Sequence, residues 1–155
     1  RSDNRGVAVF QLLPNAVLQR ETSTFKLLDV GCSEGSITAL LGEAFSIKPE
    51  NTHGCDVRDV PTSKDPAKLP YDDKMSHCRL SCNFRFDVVT CLMTLHHVED
   101  LTHMLTEIHR VLNPGGVLVF REHDCNRDGF SVLLDVQHGF YARVWSDPVE
   151  MPTFC

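Results

Sequence analysis

A glycine-containing segment at residues 31–35 (GCSEG) constrains the fold more than any other part of this sequence. The apolar run before it, residues 25–30 (FKLLDV), has an acid near its end, which is typical of a buried parallel strand. After it, apolar residues recur at helical spacing and predict a helix with one apolar face of Ile37, Leu40, Leu41 and Ala44. A strand, a glycine loop and a helix in this order are typical of the first unit of a nucleotide-binding α/β domain.

The rest of the chain repeats the alternation of strands and helices. Strands are predicted at residues 52–57, 67–71, 86–91 and 117–120. Helices are predicted over residues 4–20 with a break at Pro14, and from Glu99 and Asp100 to the NPGG turn at 113–116, the latter with a buried face of Leu101, Met104, Leu105, Ile108 and Leu112. A last helix is expected to carry Phe130, Leu133, Leu134, Phe140, Tyr141 and Val144. This order predicts an α/β, Rossmann-like fold with a mostly parallel sheet and helices on both faces.

Length and composition fit a single domain over residues 1–155. Of the 155 residues 42% are hydrophobic and 23% charged, which excludes disordered and collagen-like chains. A net charge of −6 argues against tight nonspecific binding to nucleic acid. Without a membrane-length apolar run or a secretory signal, and with seven scattered cysteines read as reduced thiols, we expect a cytoplasmic protein with no membrane partner. The chain starts at Arg1 and stops at Cys155 without a closing element, so we expect a domain excised from a longer protein.

The glycine loop favours a ligand without a diphosphate. Its spacing departs from G-x-G-x-x-G, because Ser33 stands in the middle and Gly35 follows after two residues. Two acids, Asp29 and Glu34, are unfavourable beside a diphosphate, whereas Asp29 suits a ligand with an amino group. Asp56 comes 21 positions after Gly35, where an acid accepts hydrogen bonds from ribose hydroxyls. The pattern predicts an adenosine ligand; the alternative is a tight turn in a flavodoxin-like domain, with Asp56 capping a helix.

Four segments in order, LLDVGCSEGSITALL, GCDV, FDVVTCLMTLHHVED and EIHRVLNPGGVLVFRE, resemble the motifs of class I S-adenosylmethionine-dependent methyltransferases over about residues 25–125. The resemblance implies S-adenosyl-L-methionine as the cofactor, with its ribose on Asp56. The residues it places around the cofactor are Asp29, Gly31, Cys32, Ser33 and Gly35 near the methionine part, Val57 beside Asp56, Asp72 or Asp73 near the adenine amino group, and Leu92, Met93 and Thr94 along the pocket. The family's sheet ends in an antiparallel hairpin, and we expect part of that hairpin to be lacking here.

Candidate catalytic residues follow the fourth and fifth predicted strands, where ligands bind in open α/β sheets. His96, Glu122 and His123 are the candidates. The alternative for His96 and its neighbour His97 is structural, one packing or capping the next helix and the other facing solvent. The alternative for residues 121–124 is a solvated turn. No metal is expected, because the possible ligands His53, Cys55, His77, Cys78 and Cys82 form no paired C-x-x-C knuckles.

The sequence leaves the methyl acceptor open between capped RNA and a small molecule. A weaker resemblance links LHHVED and REHDC to methyltransferase domains of RNA-virus replicase polyproteins, which implies mRNA cap methylation beside other domains of one polyprotein. Residues 91–93 lack the acid of the 2′-O-methyltransferase tetrad, but guanine N7 needs no base, and Glu122 could accept hydrogen bonds from the guanine. The alternatives are a small-molecule methyltransferase and a cofactor-binding module without catalysis.

Overall fold

The computed structural model describes residues 5–33, 35–56, 84–123, 132–134 and 136–137. The chain divides into two compact units, Arg1–Arg121 and Glu122–Cys155, which are described separately. The first unit contains the helices α1 (Arg5–Phe10), α2 (Asn15–Leu18), α3 (Ser36–Ala44) and α4 (Leu101–Val111), the strands β1 (Leu27–Val30), β2 (Thr52–Cys55), β3 (Phe86–Leu92) and β4 (Leu112–Arg121), and 3-10 helices at Thr22–Thr24, Pro49–Asn51 and Leu95–His97.

The four described strands form one parallel sheet in the order β2-β1-β3-β4. The first strand in sequence lies inside the sheet, and all of its residues are buried. In the register, Asp29 pairs with Gly54 of β2 and Thr90 of β3. This arrangement confirms the predicted Rossmann-like α/β class. The predicted strand at residues 67–71 lies outside the described residues.

Apolar clusters cover both faces of the sheet. Strand residues Leu27 and Val88 pack with the helical residues Val9, Val17 and Leu41 on one face, which is the face of α1, α2 and α3. The neighbouring strand positions point the other way and pack with α4, through Leu28, Val30, Val89, Cys91, Met104, Ile108 and Val111. Alternation along buried strands sends successive side chains to opposite faces, so both faces of a parallel sheet need a helical cover.

Pro14 interrupts the N-terminal helical segment as its chemistry predicts. It stands between α1 and α2 with an extended backbone, φ −58° and ψ 142°. Proline lacks the amide hydrogen that a continuing helix would need, but it is well tolerated at a helix start. The single periodic pattern over residues 4–20 is therefore two short helices.

The predicted buried face of α4 is partly wrong. Leu101 and Leu105 are 44% and 40% exposed. The buried positions are instead Met104, Glu107, Ile108 and Val111. Glu107 is tolerated on this face because Arg110, one turn later, donates to both of its carboxylate oxygens at 3.0 and 2.9 Å.

The turn at residues 113–116 lies inside β4. The helix ends at Val111, Leu112 already pairs with Phe86, and regular pairing resumes between Val117 and Val88. The irregular pairing between these two points marks a bulge, and Gly115 there has φ +77°. The NPGG segment thus ends the helix as predicted, and the strand begins before it rather than after it.

Asp87 holds the amino end of the sheet together. Its carboxylate accepts hydrogen bonds from the Arg20 guanidinium at 3.1 Å, the Lys26 backbone amide at 3.0 Å and the Asn113 side-chain amide at 3.1 Å. These donors come from the segments that enter β1 and β4. The role is structural and lies at the opposite end of the strands from the glycine loop.

The second unit is described only at Glu122, His123 and the helical residues 132–134 and 136–137. The rest of the predicted last helix, and the position of the expected hairpin, lie outside these residues. In the part of the chain that the structure describes, the helices are too short and too polar to cross a lipid bilayer.

Asp100 is expected to stabilise the fold as the N-cap of α4. Its carboxylate accepts a hydrogen bond from the His103 amide at 2.9 Å, which pairs one of the amides left open at a helix start. Asp100→Ala should lower the free energy of unfolding by about 1 kcal/mol, as measured by urea denaturation. Asp100→Asn, which keeps a capping oxygen, should stay close to the wild type. Equal losses in both variants would contradict a capping role.

Candidate functional site

The residues predicted to bind the cofactor converge at the carboxyl edge of the sheet. The loop at 31–35 follows β1, Asp56 follows β2, and Met93 and Thr94 follow β3. Because the strands are parallel neighbours, their carboxyl ends open on one edge, the usual ligand site of such sheets. Val57, Asp72 and Asp73 lie outside the described residues, and the cofactor roles of all the residues in the predicted set stay predictions.

The loop has a left-handed backbone at three alternate positions. The φ angles are +79° at Gly31, +49° at Ser33 and +85° at Gly35. Gly35 is the N-cap of α3, and it has open space around it, so its backbone angle alone accounts for glycine. Ser33 adopts the same region with a side chain, which costs roughly 1–2 kcal/mol. The curled backbone brings α3 back onto the sheet directly beside the loop.

Gly31 is required by a close approach as well as by its backbone angle. A Cβ atom built there would lie 2.1 Å from the Thr94 hydroxyl oxygen and 2.8 Å from its Cβ. The amides of Gly31 and Cys32 both donate to the Cys55 carbonyl, at 2.8 and 3.0 Å. The loop is therefore held from two sides, by the end of β2 and by the segment after β3.

Asp56 closes the loop onto the second strand. Its carboxylate accepts a hydrogen bond from the Ser33 amide at 2.7 Å across 23 positions of sequence. The side chain is half-buried at the end of β2. Asp56, which is predicted to bind a ribose, is therefore joined by a hydrogen bond to the glycine loop, which is predicted to approach the ligand closely.

Asp29 is buried beneath the loop, and only 3% of it is exposed. Its two carboxylate oxygens accept hydrogen bonds from the hydroxyls of Thr38 at 2.6 Å and Thr90 at 2.7 Å. Burial raises the pKa of Asp29, the two hydrogen bonds lower it in part, and the nearby Asp56 carboxylate raises it further. The carboxylate is thus fixed between β1, β3 and α3.

Thr38 and Thr90 are site residues that the sequence analysis missed. Both are almost fully buried, at 2% and 0% exposed. A signal was present, because Thr90 is a polar residue inside the apolar run of the fourth predicted strand. Thr38 is likewise a polar neighbour of the apolar face of the third helix. A polar side chain at a buried position needs a hydrogen-bond partner. In the predicted strand before the helix of Thr38, residues 25–30, the only acid is Asp29.

The segment after β3 is the third described part of the carboxyl edge, beside the glycine loop and the end of β2. Leu92 ends the strand, and Met93 has φ +61° with its amide donating to the Arg121 carbonyl at 2.8 Å. Thr94 is 4% exposed, and its hydroxyl donates to the Leu92 carbonyl at 3.3 Å. This turn links the ends of β3 and β4 and places Thr94 against the glycine loop.

Of the candidate catalytic residues, His96 is the one that the first unit contains. It is half-buried on the 3-10 helix that begins directly after Thr94, and the exposed His97 ring lies 3.9 Å away between centroids. The cap of the following helix is Asp100, so the expectation that a histidine could cap it is wrong. The half-buried His96 and the exposed His97 agree with the alternative of one packed and one solvent-facing ring. Glu122 and His123 open the second unit, and their roles stay predictions.

The described residues contain no group of three His, Cys, Asp or Glu side chains arranged to hold a metal ion. The His53 ring packs edge-on against Phe86, with centroids 5.7 Å apart. Cys32, Cys55 and Cys91 are buried cysteines in the reduced state. His77, Cys78 and Cys82 lie outside the described residues.

The curated relatives that match the chain include two with the name ubiquinone biosynthesis O-methyltransferase. The relative from Pseudomonas syringae pv. tomato is 30% identical over 103 residues, which cover 61% of this chain and 43% of that protein. The relative from Dechloromonas aromatica is 32% identical over 101 residues, covering 59% of this chain and 41% of that protein. The chain thus spans less than half the length of these relatives.

Solved structures match the fold. An S-adenosylmethionine-dependent methyltransferase from Mesorhizobium loti has a TM-score of 0.58 at 21% identity, over 77% of this chain and 53% of that chain. A sugar N-methyltransferase from Streptoalloteichus has a TM-score of 0.55 at 23% identity, over 77% and 51%. Both matches show the fold of this chain. The family model of the methyltransferase domain matches residues 4–153, and the chain belongs to that family.

Proposed function

We propose that this domain binds S-adenosyl-L-methionine at the carboxyl edge of its sheet and transfers the methyl group to a hydroxyl of a small molecule. The observation that carries the cofactor part is the 2.7 Å hydrogen bond from the Ser33 amide to the Asp56 carboxylate. It joins the glycine loop and the acid after β2 at one edge of the sheet. An adenosine needs both features together, a close backbone approach and a charged acceptor for ribose hydroxyls.

The charges at this edge fit the proposed cofactor. S-adenosylmethionine carries a sulfonium and an ammonium group, and it lacks a diphosphate. The acids Asp29 and Asp56 lie at the ends of neighbouring strands, which attracts such a cation and repels a dinucleotide. When bound, the cofactor supplies a methyl group already activated by the positive sulfur. The domain then has to position the acceptor in line with it, and orientation of this kind contributes about 7–11 kcal/mol in favourable cases.

The relatives favour a small-molecule acceptor over RNA. Their names describe O-methyl transfer in ubiquinone biosynthesis, and neither is named for a virus or a cap. The chain's net charge of −6 agrees, because an RNA substrate is held mainly through its phosphates. Cap methylation stays a prediction without support from these matches, as does the catalytically inactive module.

A hydroxyl acceptor must lose its proton, so the proposal needs a general base. His96 is our first candidate, because it is half-buried and follows Thr94, whose side chain contacts the glycine loop. A neutral imidazole at that position would accept the proton as the oxygen attacks the methyl carbon. Glu122 and His123, directly after β4, are the alternative candidates.

The cofactor product S-adenosylhomocysteine should raise the melting temperature. At 100 times its dissociation constant the stabilisation is about 2.7 kcal/mol, a shift of roughly 5–11 °C for a domain of this size. Differential scanning fluorimetry measures it, with NAD as the comparison ligand. A shift with NAD and none with S-adenosylhomocysteine would exclude the proposed cofactor.

Asp56→Ala should weaken S-adenosylhomocysteine binding by about 1.5–3 kcal/mol, because it removes a charged acceptor. Asp87→Ala is the matched control. It removes a carboxylate at the other end of the sheet, so it should lower stability and leave the affinity unchanged. Isothermal titration calorimetry at a temperature where both variants are folded separates the two effects. Unchanged affinity in Asp56→Ala would remove Asp56 from the site.

His96→Gln should lower the rate of methyl transfer to phenolic acceptors by about 10²–10⁴-fold without changing S-adenosylhomocysteine affinity. His97→Gln, the exposed neighbour, should be nearly silent. Transfer of radiolabelled methyl groups to a panel of phenols and catechols measures both, with capped RNA as a further substrate. Full activity in His96→Gln would move the base to Glu122 or His123, and transfer to capped RNA alone would overturn the small-molecule acceptor.

A further inference from the structure

The buried acid Asp29 near the end of β1 accepts hydrogen bonds from two threonines of other elements. The Thr38 hydroxyl on α3 and the Thr90 hydroxyl on β3 donate to separate oxygens of Asp29, at 2.6 and 2.7 Å. All three residues are at most 3% exposed. A carboxylate held by two donors has a fixed orientation, because rotating it would break both bonds.

A glycine beside Asp29 in the sheet, Gly54, leaves room for Thr38 to approach the carboxylate. Asp29 pairs with Gly54 in β2 and with Thr90 in β3. A Cβ at Gly54 would lie 2.7 Å from the Cys32 sulfur and 3.5 Å from the Thr38 hydroxyl oxygen. The missing side chain therefore allows Thr38 and the loop to pack closely over the strand beside Asp29.

We propose that Thr38 and Thr90 are positioning residues, whose hydroxyls keep the Asp29 carboxylate ionised and oriented for the amino group of the cofactor's methionine part. This inference rests on the proposed function. A buried carboxylate prefers to be protonated, and a protonated acid attracts an ammonium group only weakly. The hydroxyl bonds oppose that preference, since burial raises the pKa of Asp29 and each threonine bond lowers it.

The pH dependence follows from the groups around Asp29. The Asp56 carboxylate, at the end of β2, raises the pKa of Asp29. The side chains of α3 and β3 that contact Asp29 are the uncharged Thr38 and Thr90. The Cys32 thiol lies beside Gly54 near the Thr38 hydroxyl, whereas Cys55 packs on the opposite face of the sheet. As pH falls, Asp29 takes up a proton and affinity for the ammonium is lost. Without one hydroxyl the pKa is higher, so that loss begins at higher pH.

The test compares two ligands that differ in the amino-acid part. S-adenosylhomocysteine carries the ammonium group, and 5′-methylthioadenosine lacks it. Calorimetry across a pH series should show that Thr38→Val and Thr90→Val each bind S-adenosylhomocysteine about tenfold or more weakly than the wild type. Their affinity for methylthioadenosine should be unchanged. The acid limb of the pH curve, where S-adenosylhomocysteine affinity is lost as pH falls, should move to higher pH in both variants. Thr38→Ser, which retains a hydroxyl, should restore both properties.

Thr52→Val is the matched control. Thr52 is also buried, at 6% exposed, and its hydroxyl donates to the Lys48 carbonyl at 3.2 Å, near the start of β2. This variant loses a buried hydroxyl of the same kind, so its stability should change while the ratio of the two affinities and the acid limb stay as in the wild type.

Equal weakening of both ligands at every pH would show a purely structural role and overturn the inference. Should a valine variant not fold, Asp29→Asn decides the matter. Its S-adenosylhomocysteine affinity should lose the acid limb that the wild type shows, and an unchanged limb would place the titration elsewhere and overturn the inference. Failure of the wild type to bind either ligand would be recognised separately, because it would overturn the proposed function and this inference together.

Discussion

The contact between Gly31 and Thr94 is the constraint on which the rest of the site depends. A side chain at Gly31 would overlap the Thr94 hydroxyl, so the turn after β1 can lie against the turn after β3 only without one. That contact fixes where the loop leaves the sheet, and the Cys55 carbonyl then accepts the amides of Gly31 and Cys32. The loop therefore has little freedom before any ligand arrives. A preformed edge of this kind reduces the ordering that binding would otherwise require.

The stability of this edge is limited by the charge it contains. Asp29 is buried and Asp56 raises its pKa, so the folded state holds a carboxylate in an unfavourable place at neutral pH. Two threonine hydroxyls reduce that penalty without neutralising the charge. Replacing the acid by an apolar residue would avoid the penalty, yet it would also remove the negative charge at the edge. The arrangement is easier to explain by ligand binding than by stability, since buried polar groups with perturbed pKa values concentrate at functional sites.

The sequence was informative where one local pattern determines the geometry. The strand LLDV, the glycine loop after it and the position of Asp56 after the second strand could be predicted, because strand period, turn chemistry and spacing all act over short distances. The buried face of α4 could not, because Leu101 and Leu105 fit the same helical period as Met104 and Ile108, and the sheet contacts decide which of them are buried. Thr38 and Thr90 were missed for a related reason. They are 52 positions apart in the sequence, and what they share is a hydrogen bond to Asp29. No short sequence pattern therefore relates one to the other.

The two ends of the described sheet differ in charge, and this difference bears on the acceptor. At the amino end, Arg20 pairs with Asp87, and Lys26 lies over the Phe84 ring at 5.5 Å. At the carboxyl end lie Asp29 and Asp56, and the segment after β3 continues into Glu99 and Asp100. A polyanionic acceptor approaching the methyl group would meet these acids, and Arg121 at the end of β4 is one cation against them. A neutral phenol or similar small molecule avoids the repulsion, because its hydroxyl becomes charged only as its proton leaves. In the proposed function, the same negative field would attract the cationic cofactor and favour an uncharged acceptor.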